Sequence, residues 1–274
     1  MPNRSCPGVL AAFALLVAVG CRADRPGFTA PDAPYVATPE MVGLEMLRLV
    51  GVGSTDVVYD LGSGDGRLVI AAARDFGARA VGVEINATLV HTSREDALRA
   101  GLAERARFLW QDIFATDIHE ATVVTLYLGE DVNVRLRPKL LRELRPGARV
   151  VSHDFTMRDW RPDRTQPVRS AGRVHTLYAW VVPADAAGRW QGTLERNGRR
   201  RTATLEVTQR FQRVDGALEV DGIRQHLQGE LTGDQVALAG SGLTLAARIN
   251  GDSAAGRLTG PEGVESWAAR RQAP

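Results

Sequence analysis

A glycine-rich loop between a predicted strand and a predicted helix constrains the fold of this chain most. Residues 58–67 read Val-Tyr-Asp-Leu-Gly-Ser-Gly-Asp-Gly-Arg. The run 56–60 is rich in residues that favour strands, and residues 67–76 carry an alanine-rich apolar face that favours a helix. Glycines at such a turn let a ligand approach the backbone closely, and free amides at the helix start can bind a carboxylate or phosphate. The loop therefore predicts a ligand site where a strand passes into a helix.

The residues around this loop alternate between strand and helix patterns. A helix is predicted to start with Thr38 as its cap and Pro39 in its first turn. A late strand at 176–182 follows a loop without a helical pattern. Between them, strands are predicted at 80–84, 107–110, 122–128 and 148–152, and helices at 87–100 and 132–144. This alternation predicts an α/β fold, in which helices cover both faces of a Rossmann-like parallel sheet.

The C-terminal part of the chain has a different pattern. Residues 202–207 and 217–220 alternate apolar and polar side chains, with turn signals between such runs. The turn signals are Asn197-Gly198, Asp215-Gly216, Asp221-Gly222, Gly233-Asp234 and Asn250-Gly251. Short hairpins of this kind predict a small antiparallel β domain, built as a sheet, barrel or sandwich. We divide the chain into a leader (1–20), a linker segment (21–37), an α/β domain (38–184) and a β-rich domain (185–274).

Acidic residues in and after the loop favour a positively charged ligand that contains a nucleoside. Asp60 and Asp65 place negative charge around the loop, which repels a pyrophosphate and suits a ligand with an ammonium and a sulfonium. Glu84 ends the second predicted strand, where a carboxylate can accept hydrogen bonds from both ribose hydroxyls. After the third strand, Asp112 can accept from an adenine amino group and Ile113 can pack on the ring. A dinucleotide fingerprint would require glycine at position 67, where this chain has arginine.

The first 21 residues resemble a bacterial export signal. Arg4 supplies a positive charge, and residues 9–19 form an almost unbroken apolar run that is too short to span a bilayer comfortably as a helix. Small residues then precede Cys21, as in a lipobox, although Ala18 occupies the usual leucine position. These features predict a lipoprotein attached to a membrane of the cell envelope through Cys21. The alternatives are an uncleaved anchor and a wrongly assigned start of the chain.

Composition narrows the possible functions. The formal net charge of +2 comes from interspersed acids and bases, which gives no indication of nucleic-acid binding. Both cysteines, Cys6 and Cys21, lie in the leader region, and the five histidines are scattered along the chain. The sequence therefore predicts no metal site. His153 and Asp154 end a central predicted strand, where they either line the pocket or close the strand.

Residues 34–162 resemble the class I, seven-β-strand lysine methyltransferases that include the mitochondrial enzymes modifying the adenine nucleotide translocase and the ATP synthase c-subunit. The resemblance covers about half of the chain and is carried by residues 34–39, 60–67, 82–86, 136–140 and 145–155. It implies S-adenosylmethionine as cofactor, held by the glycine loop 62–66, by Asp60, Glu84 and Asp112, and by Ile113. It further implies that Tyr35 and Thr38 fold over the methionine end of the cofactor. The exit of the fourth strand, residues 127–130, should face the substrate.

The implied reaction is methylation of a protein lysine, with Tyr127 and Glu130 as candidate catalytic residues. Tyr127 offers an aromatic face to a cation, or it is a buried residue of the sheet. Glu130 offers a carboxylate that can help to deprotonate the amine, or it is an exposed acid that caps a helix. Two other functions remain open from the sequence: a small-molecule N- or O-methyltransferase, and a non-catalytic envelope lipoprotein that uses the Rossmann-like core for binding. The second is motivated by a conflict, because S-adenosylmethionine is made in the cytoplasm whereas a lipobox implies export. Neither the acceptor nor the oligomeric state follows from the sequence.

Overall fold

The computed structural model describes residues 35–273. The α/β part begins with helix α1 (Glu40–Leu49) and ends with a strand that runs antiparallel to its neighbours in the sheet. Its further elements are β1 (Val57–Leu61), α2 (Arg67–Phe76), β2 (Arg79–Glu84), α3 (Ala87–Arg99), β3 (Ala106–Trp110), β4 (Val123–Leu126), α4 (Glu130–Glu143), β5 (Arg149–His153), β6 (Arg164–Ser170) and β7 (Arg173–Val181).

These strands form one seven-stranded sheet in the order β3-β2-β1-β4-β5-β7-β6. Strands β1 to β5 run parallel, and β7 pairs antiparallel with both β5 and β6. All residues of β1 and β4 are buried, as expected of central strands covered on both faces. Residues of α1, α2 and α3 pack into one apolar core, and residues of α4 into a second. The predicted α/β fold is confirmed.

The C-terminal strands form a closed antiparallel barrel. They are β8 (Gly188–Arg196), β9 (Arg199–Arg210), β10 (Arg213–Val220), β11 (Ile223–Thr232), β12 (Gln235–Gly240), β13 (Leu243–Asn250), β14 (Ser253–Gly260) and β15 (Gly263–Arg271). Each strand pairs with the next, and β15 pairs with β8 to close the barrel. Buried and exposed residues alternate along the strands, and the buried apolar set includes Trp190 and Trp267. Of the three β architectures open from the sequence, the structure has the barrel.

The hairpin between β9 and β10 docks the barrel on the α/β part. Phe211 stacks on Trp160 with ring centroids 5.9 Å apart and an angle of 18° between the rings. Next to it, the Gln212 side chain donates to the carbonyl of Arg161 at 2.8 Å. Both contacts lie just beyond β5, so the barrel covers a loop that leaves the sheet.

The start of α1 corrects one prediction. The residue at the N-cap position is Pro39, and no side chain caps the helix. The Thr38 hydroxyl instead lies 3.2 Å from Nδ1 of His153, so a long-range contact replaces the predicted local one. Strand β6, whose bounds the sequence did not predict, is a mostly exposed edge strand containing Pro167, and both features weaken a strand pattern.

Among residues 35–273, no helix is long and apolar enough to cross a membrane. The predicted export signal, including Cys21, lies outside the described residues.

Candidate functional site

The glycine loop joins β1 to α2 at the carboxyl edge of the parallel strands. The amides of Gly62 and Ser63 both donate to the carbonyl of Val83, at 2.8 and 3.0 Å, which fixes the loop against β2. Gly62, Gly64 and Gly66 have φ angles of 81°, 55° and 76°. Residues with a side chain are strained in this left-handed region, so these three backbone conformations favour glycine.

Side chains also pass close to these glycines. A Cβ on Gly64 would lie 2.4 Å from Cε2 of Tyr35, so the Tyr35 ring rests on the loop. A Cβ on Gly66 would lie 2.5 Å from Cε1 of Phe108. Side chains are thus packed against the loop at both glycines.

Glu84 ends β2 beside the loop and is buried. Its Oε2 accepts from the amide of Gly64 at 2.9 Å, and its Oε1 accepts from the amide of Asn86 at 2.8 Å. The Asn86 side chain in turn caps α3. An ionised carboxylate has about four lone-pair sites, so these two bonds fix the group and leave acceptor capacity for a ligand.

Asp60, the fourth residue of β1, has a buried carboxyl group that receives one side-chain hydrogen bond. Its Oδ1 accepts from the Thr125 hydroxyl at 2.6 Å. Burial raises the pKa of Asp60 to about 7, and the nearby charges of Glu84 and Asp65 add to the rise while the bond from Thr125 opposes it. The ionised form of Asp60 therefore lacks a cationic partner among the described residues, and a cationic ligand would supply one.

Asp65 and Arg67 attach the segment before α1 to the loop. The Arg67 guanidinium pairs with the Asp65 carboxylate and reaches the carbonyl of Thr38 at 3.4 Å. Burial would raise the pKa of Asp65, but hydrogen bonds from Arg67 and from the Tyr35 hydroxyl outweigh it and hold the pKa below its usual range. Tyr35 and Thr38 therefore lie next to the loop.

Asp112 and Ile113 lie just after β3, next to the end of β2. Trp110 is the register partner of Glu84, and the amide of Gln111 donates to the Glu84 carbonyl at 3.2 Å. Oδ1 of Asp112 accepts from the amide of Phe114 at 2.8 Å, and Ile113 is half-buried against the α4 side of the core. The predicted acids of β1, β2 and β3 are thus brought to one edge of the sheet.

Tyr127 follows β4 and packs face to face on the end of β5. Its ring stacks on the His153 imidazole, with centroids 3.9 Å apart and an angle of 25°, and lies 5.8 Å from the ring of Phe155. His153 is fully buried and its Nε2 lies 2.8 Å from Nδ1 of His175 on β7. Burial lowers the pKa of His153 to about 4, so the imidazole is neutral at physiological pH. His153 thus ends β5 and is covered by the Tyr127 ring.

Glu130 begins α4 and is engaged by the loop after β5. Its Oε2 accepts from the Thr156 hydroxyl at 2.6 Å, and Oε1 lies 3.2 Å from Nε of Arg158. These two groups hold the pKa of Glu130 below its usual range. Glu130 is therefore a carboxylate with a fixed position and weak basicity.

Three further polar residues complete this region, and the sequence pattern did not single them out for it. His175 contacts His153, Arg158 pairs with Glu130, and the buried Asn133 donates to the Ser152 hydroxyl at 2.9 Å and to the Phe155 carbonyl at 3.2 Å. Each reaches its partner across 19 to 28 positions of the chain. These contacts depend on how distant segments pack together, and no local sequence pattern contains them.

The sheet order with its antiparallel β7, the glycine loop and the acids after successive strands define a class I S-adenosylmethionine-dependent methyltransferase. Residues 60–164 match the family described as the ANTKMT methyltransferase domain. The chain belongs to this methyltransferase family. The barrel, which begins at Gly188, lies outside the matched residues.

Individual relatives cover the same part of the chain. A protein-lysine N-methyltransferase of Saccharolobus islandicus is 46% identical over 153 residues, which are 56% of this chain and 95% of that protein. The adenine nucleotide translocase lysine N-methyltransferase of Mus musculus is 35% identical over 131 residues, which are 48% of this chain and 57% of that protein. The match thus spans little more than half the length of the mouse relative.

A crystal structure described as an RNA methyltransferase from Salinibacter ruber, in complex with S-adenosylhomocysteine, is also similar. It is 53% identical with a TM-score of 0.52 and covers 55% of this chain and 95% of that chain. Its described substrate differs in class from the protein lysine named for the other two relatives.

Proposed function

We propose that this protein transfers methyl groups from S-adenosylmethionine to lysine side chains of a protein substrate. The observation that carries the proposal is the similarity to the Saccharolobus relative, which is named a protein-lysine N-methyltransferase. The match covers 95% of that relative's length. The matched part of the chain includes the loop, the acids and the strand exit at Tyr127.

The residues at the sheet edge fit the proposed cofactor. The Glu84 carboxylate would bind the ribose hydroxyls, and Asp112 and Ile113 the adenine. Asp60 and Asp65 would balance the positive charges of the methionine part. Ser63 and the three glycines Gly62, Gly64 and Gly66 form the cradle, because a side chain at any of these glycines would be strained by its positive φ and would clash with a neighbouring side chain. Bound S-adenosylmethionine supplies an electrophilic methyl group on a sulfonium.

Tyr35 controls access to this cradle. The cavity lined by Tyr35, Thr38, the loop and Tyr127 has a volume of only about 40 Å³, whereas ligand pockets commonly measure about 300–1,000 Å³. Tyr35 is half exposed and held mainly through Asp65 and the loop. We propose that the Tyr35 ring moves off Gly64 when the cofactor enters and then covers its methionine end.

The acceptor side has to present an uncharged amine. A lysine ammonium has a reference pKa of about 10.4, so it must lose a proton before the nitrogen can react. Because its own pKa is lowered, Glu130 is poorly suited to take that proton, and we assign it to attracting the ammonium. The Tyr127 ring offers a π face for the cationic groups and limits the hydration of the amine.

A methylation assay with tritiated S-adenosylmethionine tests the function. The full chain should label proteins of a membrane extract, and mass spectrometry should find the label as methyl-lysine. Glu84→Gln should lose the activity, whereas Glu104→Gln, an exposed acid on the loop before β3, should keep it. A folded chain that labels no protein would contradict the proposal.

The acceptor assignment has a separate test. Tyr127→Phe keeps the ring and should retain most turnover, whereas Tyr127→Ala should reduce it. Glu130→Ala should raise the KM for the protein substrate more than it lowers kcat, since the carboxylate attracts the ammonium. The assignment of both residues is wrong if Tyr127→Ala and Glu130→Ala leave turnover and KM intact.

RNA is the second candidate substrate, favoured by the description of the Salinibacter structure. The acids Glu130 and Asp131 at the start of α4 argue against it, because phosphates are repelled by carboxylates. The same assay decides between the substrates when RNA is offered in parallel. If the label resists protease and is released by ribonuclease, the substrate is RNA and the proposal of a protein lysine is wrong.

We also propose that Cys21 is lipidated and attaches the protein to a cell-envelope membrane. The support is the apolar run 9–19 followed by small residues before the cysteine. Palmitate labelling followed by fractionation tests it. Wild type should carry the label in the membrane fraction and Cys21→Ser should not, and an unlabelled soluble wild type would overturn the proposal.

A further inference from the structure

Three side chains from β5 and β7 converge at a buried point next to the proposed acceptor site. His153 ends β5, Asp154 follows it, and His175 lies on the adjacent β7. Nε2 of His153 lies 2.8 Å from Nδ1 of His175, and Oδ2 of Asp154 lies 3.4 Å from each of these nitrogens. His153 and His175 are buried, and the Asp154 side chain is 15% exposed.

The three atoms lie close enough together for one small metal ion to contact all of them. Three atoms separated by 2.8, 3.4 and 3.4 Å can all lie about 2.0–2.1 Å from a common centre just outside their plane. Zinc bonds to imidazole nitrogen and carboxylate oxygen have about this length, and three protein ligands leave the fourth tetrahedral position open. Two imidazoles and one carboxylate are also ligands that suit zinc and its neighbours in the transition series.

The surroundings of the three ligands agree with a metal site. A histidine that binds a metal through one nitrogen usually donates from the other, and Nδ1 of His153 has the Thr38 hydroxyl 3.2 Å away as its acceptor. Oδ1 of Asp154 accepts from the amide of Thr176 at 2.7 Å, which orients Oδ2 toward the histidines. Asp154 has a left-handed φ of 59°, a backbone strain held by this turn.

One cation already contacts the site. Nη2 of Arg173 lies 3.1 Å from Oδ2 of Asp154, and its side chain is 67% exposed. A carboxylate oxygen carries two lone pairs, so Oδ2 can accept from Arg173 and still bind a metal. An exposed arginine can also move away at little cost in free energy.

We propose that His153, Asp154 and His175 bind one divalent metal ion of the zinc class. The ion would link β5 to β7 and, through His153 and the Thr38 hydroxyl, would fix the segment that lies over the glycine loop. Sequence spacing predicted no metal site, because the two histidines are 22 positions apart and meet only through the β5–β7 pairing. The proposal does not depend on the substrate or on methyl transfer.

Zinc binding by the full chain tests the site directly. Cys6→Ser and Cys21→Ser first remove the only thiols. The protein is stripped with a chelator, dialysed against excess Zn²⁺ and then against metal-free buffer, and zinc per chain is measured. We expect one zinc per chain in this background and a loss of that zinc in His175→Gln.

A matched control excludes surface histidines. His119 lies with Asp117 and Glu143 in a more exposed group that could also attract a cation, and His119→Gln should retain the bound zinc. Circular dichroism shows whether His175→Gln is folded. If it is not, Asp154→Asn, which tolerates the left-handed backbone, takes its place and should also lose the zinc.

The zinc affinity of Thr38→Val separates a metal site from a pair of histidines that only pack together. Removing the hydroxyl that orients His153 should weaken zinc binding about 10- to 100-fold, the usual effect of losing an outer hydrogen bond to a ligand. The proposal is overturned if the folded background protein retains no zinc, or if His175→Gln and Asp154→Asn retain as much zinc as it does. The histidines would then be only a hydrogen-bonded pair.

Discussion

Replacing Asp60 by asparagine should stabilise the protein without its cofactor at neutral pH. The Asp60 pKa of about 7, against an ordinary value of 3.8, means that folding disfavours the ionised form. Each pH unit between these values costs about 1.4 kcal/mol, so ionised Asp60 destabilises the fold by up to about 4 kcal/mol above pH 7. The asparagine side chain would carry no charge and could still accept from Thr125.

The sign of the pH dependence follows from the raised pKa. Below pH 3.8 both folded and unfolded chains hold the proton, and Asp60→Asn should have little effect. As the pH rises toward 7, only the unfolded chain releases the proton freely, so the wild type should lose stability relative to Asp60→Asn. Above pH 7 the difference should be constant.

Urea unfolding followed by circular dichroism at the helix band measures this difference, because α1 to α4 all belong to the α/β part. Asp56→Asn is the matched control of opposite sign. Burial would raise the pKa of Asp56, but bonds from Thr122, the Gly53 amide and Arg149 outweigh it and lower the pKa. Asp56→Asn should therefore destabilise the fold at neutral pH, and its effect should fade as the pH falls through the lowered pKa.

Asp60 also links stability to cofactor binding. A cationic ligand near Asp60 favours its ionised form, so binding of S-adenosylmethionine should release a proton below pH 7 and tighten as the pH rises toward 7. Asp60→Asn should abolish this pH dependence and bind more weakly. The reasoning is refuted if Asp60→Asn is less stable than wild type at about pH 8, or if the stability difference does not change between about pH 4 and 7.

Two further predictions concern packing. Gly66→Ala should lower the free energy of unfolding by about 1–2 kcal/mol through its left-handed backbone and by about 1–3 kcal/mol through crowding against a phenylalanine ring. Gly101 also has a left-handed backbone but has open space around it, so Gly101→Ala should lose the backbone contribution alone. Equal urea midpoints for the two variants would contradict the crowding. Phe211→Ala removes the stack on Trp160 and should lower the stability by about 1–3 kcal/mol and expose the β9–β10 hairpin to proteolysis. Unchanged cleavage would show that this stack does not hold the barrel in place.

The cofactor half of the site could be predicted from sequence because its determinants are local. The bounds of α2 agree with the prediction, and Glu84 and Asp112 fall at strand ends as expected. Parallel strands bring their carboxyl ends to one edge, so spacing along the chain was enough to place these residues together.

The acceptor half depends on contacts that no local pattern contains. Glu130 was a candidate base by position, but its pairing with Arg158 comes from a loop that folds back after β5. His175 reaches His153 only because β7 runs antiparallel to β5. The barrel closes likewise because β15 pairs with β8. The alternation of apolar and polar residues within single hairpins does not specify this pairing.

Calorimetric titration of the full chain with S-adenosylmethionine tests the cofactor site most directly. We predict one binding site per chain, with affinity lost in Glu84→Gln and retained in Glu104→Gln, because the Glu84 carboxylate bonds to the loop at the cradle and Glu104 is exposed on the loop before β3. A folded chain that binds no S-adenosylmethionine, or a Glu84→Gln variant that binds it as tightly as wild type, would contradict the account.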